Sequence, residues 1–335
     1  MTVKPEQPLA EIEDAPVIKV AYPSYDEPVG ETRTFNWNIA LTGLKVLGVL
    51  LVLAAYPAMV LMSHEIDDSP IALDDGRYWS AGDVGIAAAL ITRELDGPGW
   101  SADHHRWHPQ SRLTALPAWQ AGLVDALADH GRLTLSKFQG QRDPDLESAV
   151  RLLGRPGDEA VTPRLQAARE ALTRYDGRVA VGLAGRPAGP DMLASELTLF
   201  AAWADALQRD LASIASPGDG WIASSEAVAS VYRAKARAHV AHELLSVRAE
   251  RDAGLFATAE AQTRFDEANL AWKRAAALGP LFISNQASDA PVGANHVAMM
   301  AFLLGEAAIA SRTAAEALQA PAAAPDQSIE VTQAD

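Results

Sequence analysis

The sequence predicts an all-α protein, a multi-helix bundle or layered helical domain behind one N-terminal transmembrane helix. Three observations carry this. One run near the N-terminus is apolar and free of charge. The rest of the chain is rich in Ala and shows apolar residues at helical spacing between Pro, Gly and capping residues. Strand signals are nearly absent: only Leu133-Thr134-Leu135 and Leu281-Phe282-Ile283 read as short candidates.

The apolar run spans 41–62. From Val46 to Met62 it reads VLGVLLVLAAYPAMVLM without a charge, and Lys45 alone interrupts its start. A helix needs about 20 apolar residues to cross the hydrocarbon core. Val46, Leu50, Leu53, Val60 and Met62 are the anchoring side chains, and Pro57 is tolerable inside a membrane helix. Lys45 can snorkel its ammonium to the headgroups. Phe35 and Trp37 precede the run as interfacial aromatics do. The competing readings are a buried core helix, a re-entrant segment and a cleaved signal peptide. A signal peptide would require a long acidic region before its apolar stretch, which is the reverse of the usual pattern.

Orientation follows the cations. Arg33 and Lys45 lie on the N-terminal side, while Glu65, Asp67, Asp68, Asp74 and Asp75 follow the run before Arg77. The positive-inside rule then puts the N-terminus in the cytoplasm and the C-terminal domain outside it, which in a Gram-negative cell is the periplasm. Arg outnumbers Lys 22 to 6, which fits a GC-rich bacterial genome.

Residues 1–34 hold Pro5, Pro8, Pro16, Pro23 and Pro28 among many acids and read as a disordered cytoplasmic tail. Residues 319–335 read as a second disordered tail, leaving 70–318 for the helical domain. Its helices can be placed by their ends. Ser80 is an N-cap candidate for a helix to Leu95, stopped by Gly97-Pro98-Gly99. Pro117 opens a helix toward His130-Gly131. Asp143-Pro144 pairs an N-cap with proline at the first helical position, and Thr162-Pro163 repeats the signal for a helix to about Gly182. Pro190-Asp191 opens a helix to Ile214, closed by Pro217-Gly218. Ser224 starts another to Gly254. The last two cover about Glu260–Leu278 and Asn295–Leu318. Leu193, Leu197, Phe200, Ala204 and Leu207 keep the helical period, as do Leu116, Trp119, Leu123 and Leu127. No solenoid repeat is visible.

Composition narrows the function classes. The 335-residue chain has no cysteine, which excludes disulfides, thiol nucleophiles and thiolate metal sites. A net charge of −15 opposes nucleic-acid binding. The densest basic stretch, Arg233, Lys235, Arg237, Arg248 and Arg251, is interleaved with Glu226, Glu243 and Glu250. It reads as a solvated helix face, with an anion or lipid-headgroup site as the sharper alternative.

No catalytic set emerges. His104-His105-x-x-His108 has imidazoles that suit a metal, but it lies in a Gly/Pro/Trp-rich connection, where a solvated loop is the plainer reading. His239, His242 and Glu243 share one side of a helix by spacing, yet match neither zincin order. They are the weak metal candidates; a satisfied polar patch is the plainer reading. Trp100 and Trp107 bracket a loop that either packs on the helices or lines a groove. Asn285, Gly293, Asn295 and His296 precede the last helix, where Asn295 suits its N-cap. His239, His242, Glu243, Asn285, Asn295, His296 and Trp100 are the candidates for a polar ligand cleft. GLAGRPAGP at 182–190 lacks the Lys-Ser/Thr of a phosphate loop, and no G-x-S-x-G elbow is present. No cofactor is expected.

The blocks GW (99–100), LPAWQAGLVDAL (116–127), LTLFAAWADALQRDL (197–211), VYRAKARAHVAHELL (231–245) and NQASDAPVGANHVAMMAFLLGEA (285–307) resemble the DUF2333 family, proteobacterial membrane-anchored proteins of unknown function. The likeness would cover roughly residues 70–315. It implies an inner-membrane protein and carries over no catalytic residue. The expected function is an envelope scaffold, assembly or accessory factor. Its expected partners are the bilayer, through one helix, and an envelope protein. The alternatives are a metal-dependent envelope enzyme using His239, His242, Glu243 and His296, and a lipid- or small-ligand-binding module.

Overall fold

The structure is a computed structural model that describes residues 37–62, 66–73, 78–138, 140, 142–154, 160–215, 223–252, 254–280, 282–286 and 294–320. The two predicted tails, Gly293, Glu65, Asp74, Asp75, Arg77 and Pro217-Gly218 lie outside the described residues. Nine α-helices are described: α1 (Trp37–Met62), α2 (Gly82–Asp96), α3 (Ala115–Ser136), α4 (Pro144–Leu153), α5 (Val161–Ala180), α6 (Pro190–Ala215), α7 (Ser225–Arg251), α8 (Ala259–Ala276) and α9 (His296–Gln319). The described residues contain no strand, so the all-α expectation holds.

The chain divides into two compact units, residues 1–51 and 52–335. In the first, only the N-terminal part of α1 is described. From Leu41 through Leu51 its side chains are exposed, Lys45, Val46 and Leu50 among them. In the second unit, α1 continues through Leu53 and Pro57, which are exposed, to Met62. None of the Leu41–Met59 window is buried. α1 and α9 are both long and apolar enough to cross a membrane, but 44% of the α9 window is buried.

The body is built around α7, which touches α2, α3, α6, α8 and α9. Its sequence explains this place. Val231, Ala234, Ala236, Ala238, Val240, Ala241, Leu244, Leu245 and Val247 are buried around most of its circumference. The many alanines let neighbouring helices come close. At Gly122 in α3, an added Cβ would sit 2.7 Å from the Arg233 carbonyl oxygen and 3.0 Å from its Cα. Glycine is required there by backbone approach. α4 packs on α3 and α5, and α9 lies against α6 and α8. The opposite face of α9 leaves Met299, Phe302 and Ile309 exposed at 44%, 58% and 63%.

Local capping explains the starts of α4, α7, α8 and α9. Asp143 accepts the N–H groups of Asp145 and Leu146 before Pro144. Ser224, Thr258 and Asn295 cap α7, α8 and α9 through the N–H groups of Ala227, Ala261 and Ala298. Two predicted starts differ. α2 is preceded by Ala81, not capped by Ser80; the Asp176 carboxylate of α5 accepts the Ala81 N–H at 2.8 Å. α5 begins at Val161, and Asp103 accepts the N–H groups of Val161 and Thr162 at 2.8 and 2.6 Å. α3 also runs through Gly131 and absorbs the predicted strand at 133–135. Gly131 faces Val150 of α4, and the Thr134 hydroxyl donates to the His130 carbonyl. Of the second strand candidate, Phe282 and Ile283 are non-helical, and the Ile283 carbonyl accepts the Ala223 N–H. Leu281 lies outside the described residues.

The basic stretch of α7 is a solvated face only in part: Arg233 and Arg251 are exposed. Lys235 and Arg248 are buried, because each turns inward to an acid. Lys235 Nζ lies 2.7 Å from Asp68. Arg237 pairs with Asp129 at 3.0 Å and covers the Trp203 ring, and Arg251 donates to the Trp79 carbonyl.

Candidate functional site

Lys235, His239 and Glu243 recur every four residues along α7, so they line one stripe. That stripe faces residues 67–71, the segment that follows α1. Glu243 Oε2 accepts the Ile71 N–H at 3.0 Å, and Lys235 pairs with Asp68. From α2, Arg93 donates to the Ser69 carbonyl at 2.7 Å and to His239 Nε2 at 2.8 Å. Arg93 also lies 3.8 Å from Asp67. Residues 67–71 thus form a strap held at several points by two helices.

The hydrogen-bond pattern fixes the state of His239. A guanidinium only donates, so Nε2 must accept and the ring proton sits on Nδ1. Nδ1 lies 3.9 Å from Glu243. Burial, and secondarily the Arg93 charge, pushes the imidazole pKa down to about 3. Burial raises that of Glu243. His239 is 2% exposed, with its ring 5.5 Å from that of Trp119. It is a structural acceptor beneath the strap.

His242 turns elsewhere. Its Nδ1 donates to Asn269 Oδ1 of α8 at 2.7 Å, and Asn269 Nδ2 donates to Ser246 Oγ at 3.3 Å. Burial lowers its pKa despite the Asn269 bond. A groove of about 760 Å³ opens here between the strap, α7 and α8. His242, Glu243, Asn269 and Lys273 contribute polar walls, and Ile71, Leu73, Ile86 and Leu270 apolar ones. Its size and mixed lining suit a small molecule. Of the predicted cleft residues, His242 and Glu243 line this groove.

The other candidates lie apart from it. Asn285 is fully buried and donates to the Ile214 carbonyl at the end of α6. Asn295 donates to Asn285 Oδ1 and to the Gln286 carbonyl. His296 Nδ1 accepts the Ser284 N–H, and the His296 N–H donates to the Ser284 carbonyl. These three residues are brought together as a knot that ties the 282–286 loop to α9. Trp100 is buried beside the α2–α3 connection. There Glu94 accepts from Trp119 Nε1 and Gln120 Nε2, and Gln120 accepts from Ser101.

The metal alternative for His239 and His242 finds no support in their geometry, since Arg93 occupies one Nε2 and the two rings serve different neighbours. Among the described residues, the cluster with metal-donor spacing is a different one, Asp83, His130 and Glu196, all buried. Its donors already face cations. Arg248 bonds Glu196 at 2.7 and 3.1 Å and Asp83 at 3.2 Å, and Arg186 Nε lies 3.2 Å from the other Asp83 oxygen. His130 meets Glu196 at 2.8 Å, and Asp252 joins both arginines. Burial works against the Asp83 charge, but Arg248 and Arg186 outweigh it and hold its pKa down at about 2. Guanidiniums stand where a metal ion would be needed, so this is an internal ion-pair network linking α2, α3, α6 and α7. Sequence reasoning missed it, because Asp83 and Arg248 alone lie 165 positions apart and no short motif joins the members.

The class defined by fold and site is therefore an all-α helical body with a buried ionic core and a strap on its central helix. No family model, curated protein or solved structure matches the chain.

Proposed function

We propose that the protein is an inner-membrane-anchored envelope scaffold or accessory factor, acting through protein contacts made by its helical body. In this reading α1 crosses the bilayer, Lys45 sits at the cytoplasmic rim, and the body is periplasmic. α9 belongs to the body as a core helix. Membership of the DUF2333 family is part of the proposal and is carried by the sequence blocks quoted above.

The exposed face of α9 is the observation that carries the reading. Met299, Phe302 and Ile309 fall on one side of a helix whose other side is buried. Large apolar side chains grouped at helical spacing are characteristic of protein contact surfaces. A photoreactive residue at position 302 in the full chain, irradiated in native membranes, tests it. A discrete protein adduct is expected, and Ile309→Glu should suppress it with no change in melting temperature. Equal adducts from position 302 and from the exposed Glu170 of α5, or none from either, would refute the scaffold reading.

The groove between the strap, α7 and α8 favours a second reading, a small-ligand module with His242 and Asn269 as polar contacts. Native mass spectrometry of the purified full chain separates the two, since a co-purified ligand lost in Asn269→Leu supports this one.

A further inference from the structure

The connection between α2 and α3 concentrates positive charge in an acidic protein. From Gly97 to Thr114 it holds Arg106 and Arg112 against a single acid, Asp103, beside three histidines. Asp103 is already committed to the first N–H groups of α5. Among the described residues neither Arg106 nor Arg112 has a carboxylate partner. Instead both guanidiniums lie over one indole, with their carbons 5.6 and 5.8 Å from the Trp107 ring centroid. Trp107 is 63% exposed.

Both arginines line a cavity of about 410 Å³, together with His104 and Ser111. His104 Nε2 is buried and has no hydrogen-bond partner among the described residues. A side-chain shift that opened this nitrogen to the cavity would give it a polar contact. A metal does not fit. The His104 and His108 rings stack at 4.0 Å and 16°, which aims their nitrogens along parallel lines rather than at one point. His105 and His108 also accept backbone N–H groups through Nδ1. Two unpaired guanidiniums would repel a cation.

We propose that this loop is a binding site for a phosphate group. Arg106 and Arg112 would supply paired N–H forks, which match phosphate oxygens in geometry and charge. His104 Nε2 would add a further polar contact, and Trp107 an apolar platform for the carbon skeleton beside the phosphate. The phosphate can come from a soluble phosphate or phosphate ester, or from a phospholipid headgroup at the bilayer surface, where Trp and Arg are both favoured.

The test uses the full-length chain in nonionic detergent or in vesicles, with tryptophan fluorescence as the readout. Trp107→Phe assigns the signal to Trp107. One arm titrates inorganic phosphate against chloride at equal ionic strength. The other compares phosphatidylcholine vesicles with and without phosphatidylglycerol. A saturable Trp107-dependent change is expected in at least one arm, weakened about tenfold or more in Arg106→Gln/Arg112→Gln. Phosphate alone acting identifies a soluble anion; phosphatidylglycerol alone identifies a headgroup; both acting means the phosphate group itself is recognised. The proposal is overturned if neither arm responds, if chloride acts equally, or if the double variant binds as well as the parent while its melting temperature is unchanged.

Discussion

His239 accepts from Arg93 through Nε2, and that bond requires a neutral ring. Protonation would place two cations face to face inside the body. The consequence for stability has a definite sign. The folded pKa, about 3, lies below the ordinary value of 6.5. Between these values the unfolded chain binds a proton that the folded chain does not. The contribution of His239 is therefore intact above about pH 6.5 and is lost as pH falls toward 3, by up to about 1.4 kcal/mol per pH unit. Glu243 and Glu94 have raised pKa values and act in the opposite sense as pH rises. The measurement is thus a difference. Denaturation free energies of the parent and His239→Gln, compared from pH 7 to 4, should converge as pH falls; parallel curves would show that His239 does not titrate in this way. At this scale the sequence showed that His239 and Glu243 share a face, since spacing is local. It could not show what faces them. Arg93 and the strap reach that stripe from 146 and 172 positions away.

Between elements, backbone distance decides. α3 and α7 meet at Gly122, where even one methyl group would press on the Arg233 backbone. Backbone cannot rotate aside as a side chain can, so the helices must separate. Gly122→Ala should destabilise by about 1–3 kcal/mol. Gly177, in α5, has nothing within 4 Å of an added Cβ. Gly177→Ala should instead stabilise, by up to about 1 kcal/mol from helix propensity. Urea melts of the two variants should move in opposite directions; a shared direction would mean that propensity, not approach, governs both sites. The starts of α4, α7 and α9 were legible because Asp143, Ser224 and Asn295 cap their own helices. The starts of α2 and α5 were not, because Asp176 and Asp103 reach them from other segments. The 133–135 strand reading failed for a related reason: its apolar alternation was too short to outweigh the helix already running through it.

At the scale of the whole chain, a helix with an unburied apolar surface precedes a helical body built around α7. That 41–62 forms one apolar helix was legible, because the run is long and almost free of charge. The body's all-α class was legible from period and caps. Its strap contacts and ionic core were not, because each is assembled from distant segments. The central claim is that α1 crosses the membrane and places the body outside the cytoplasm. The absence of cysteine makes this directly testable, since any thiol introduced is unique. Single variants Ser24→Cys, before α1, and Leu183→Cys, at a body position that is 77% exposed, can be treated with a membrane-impermeant maleimide in spheroplasts. With α1 across the membrane and the body outside, Leu183→Cys is labelled at once and Ser24→Cys only after lysis. The reverse pattern would put the body in the cytoplasm, and labelling of both before lysis would show that α1 does not cross.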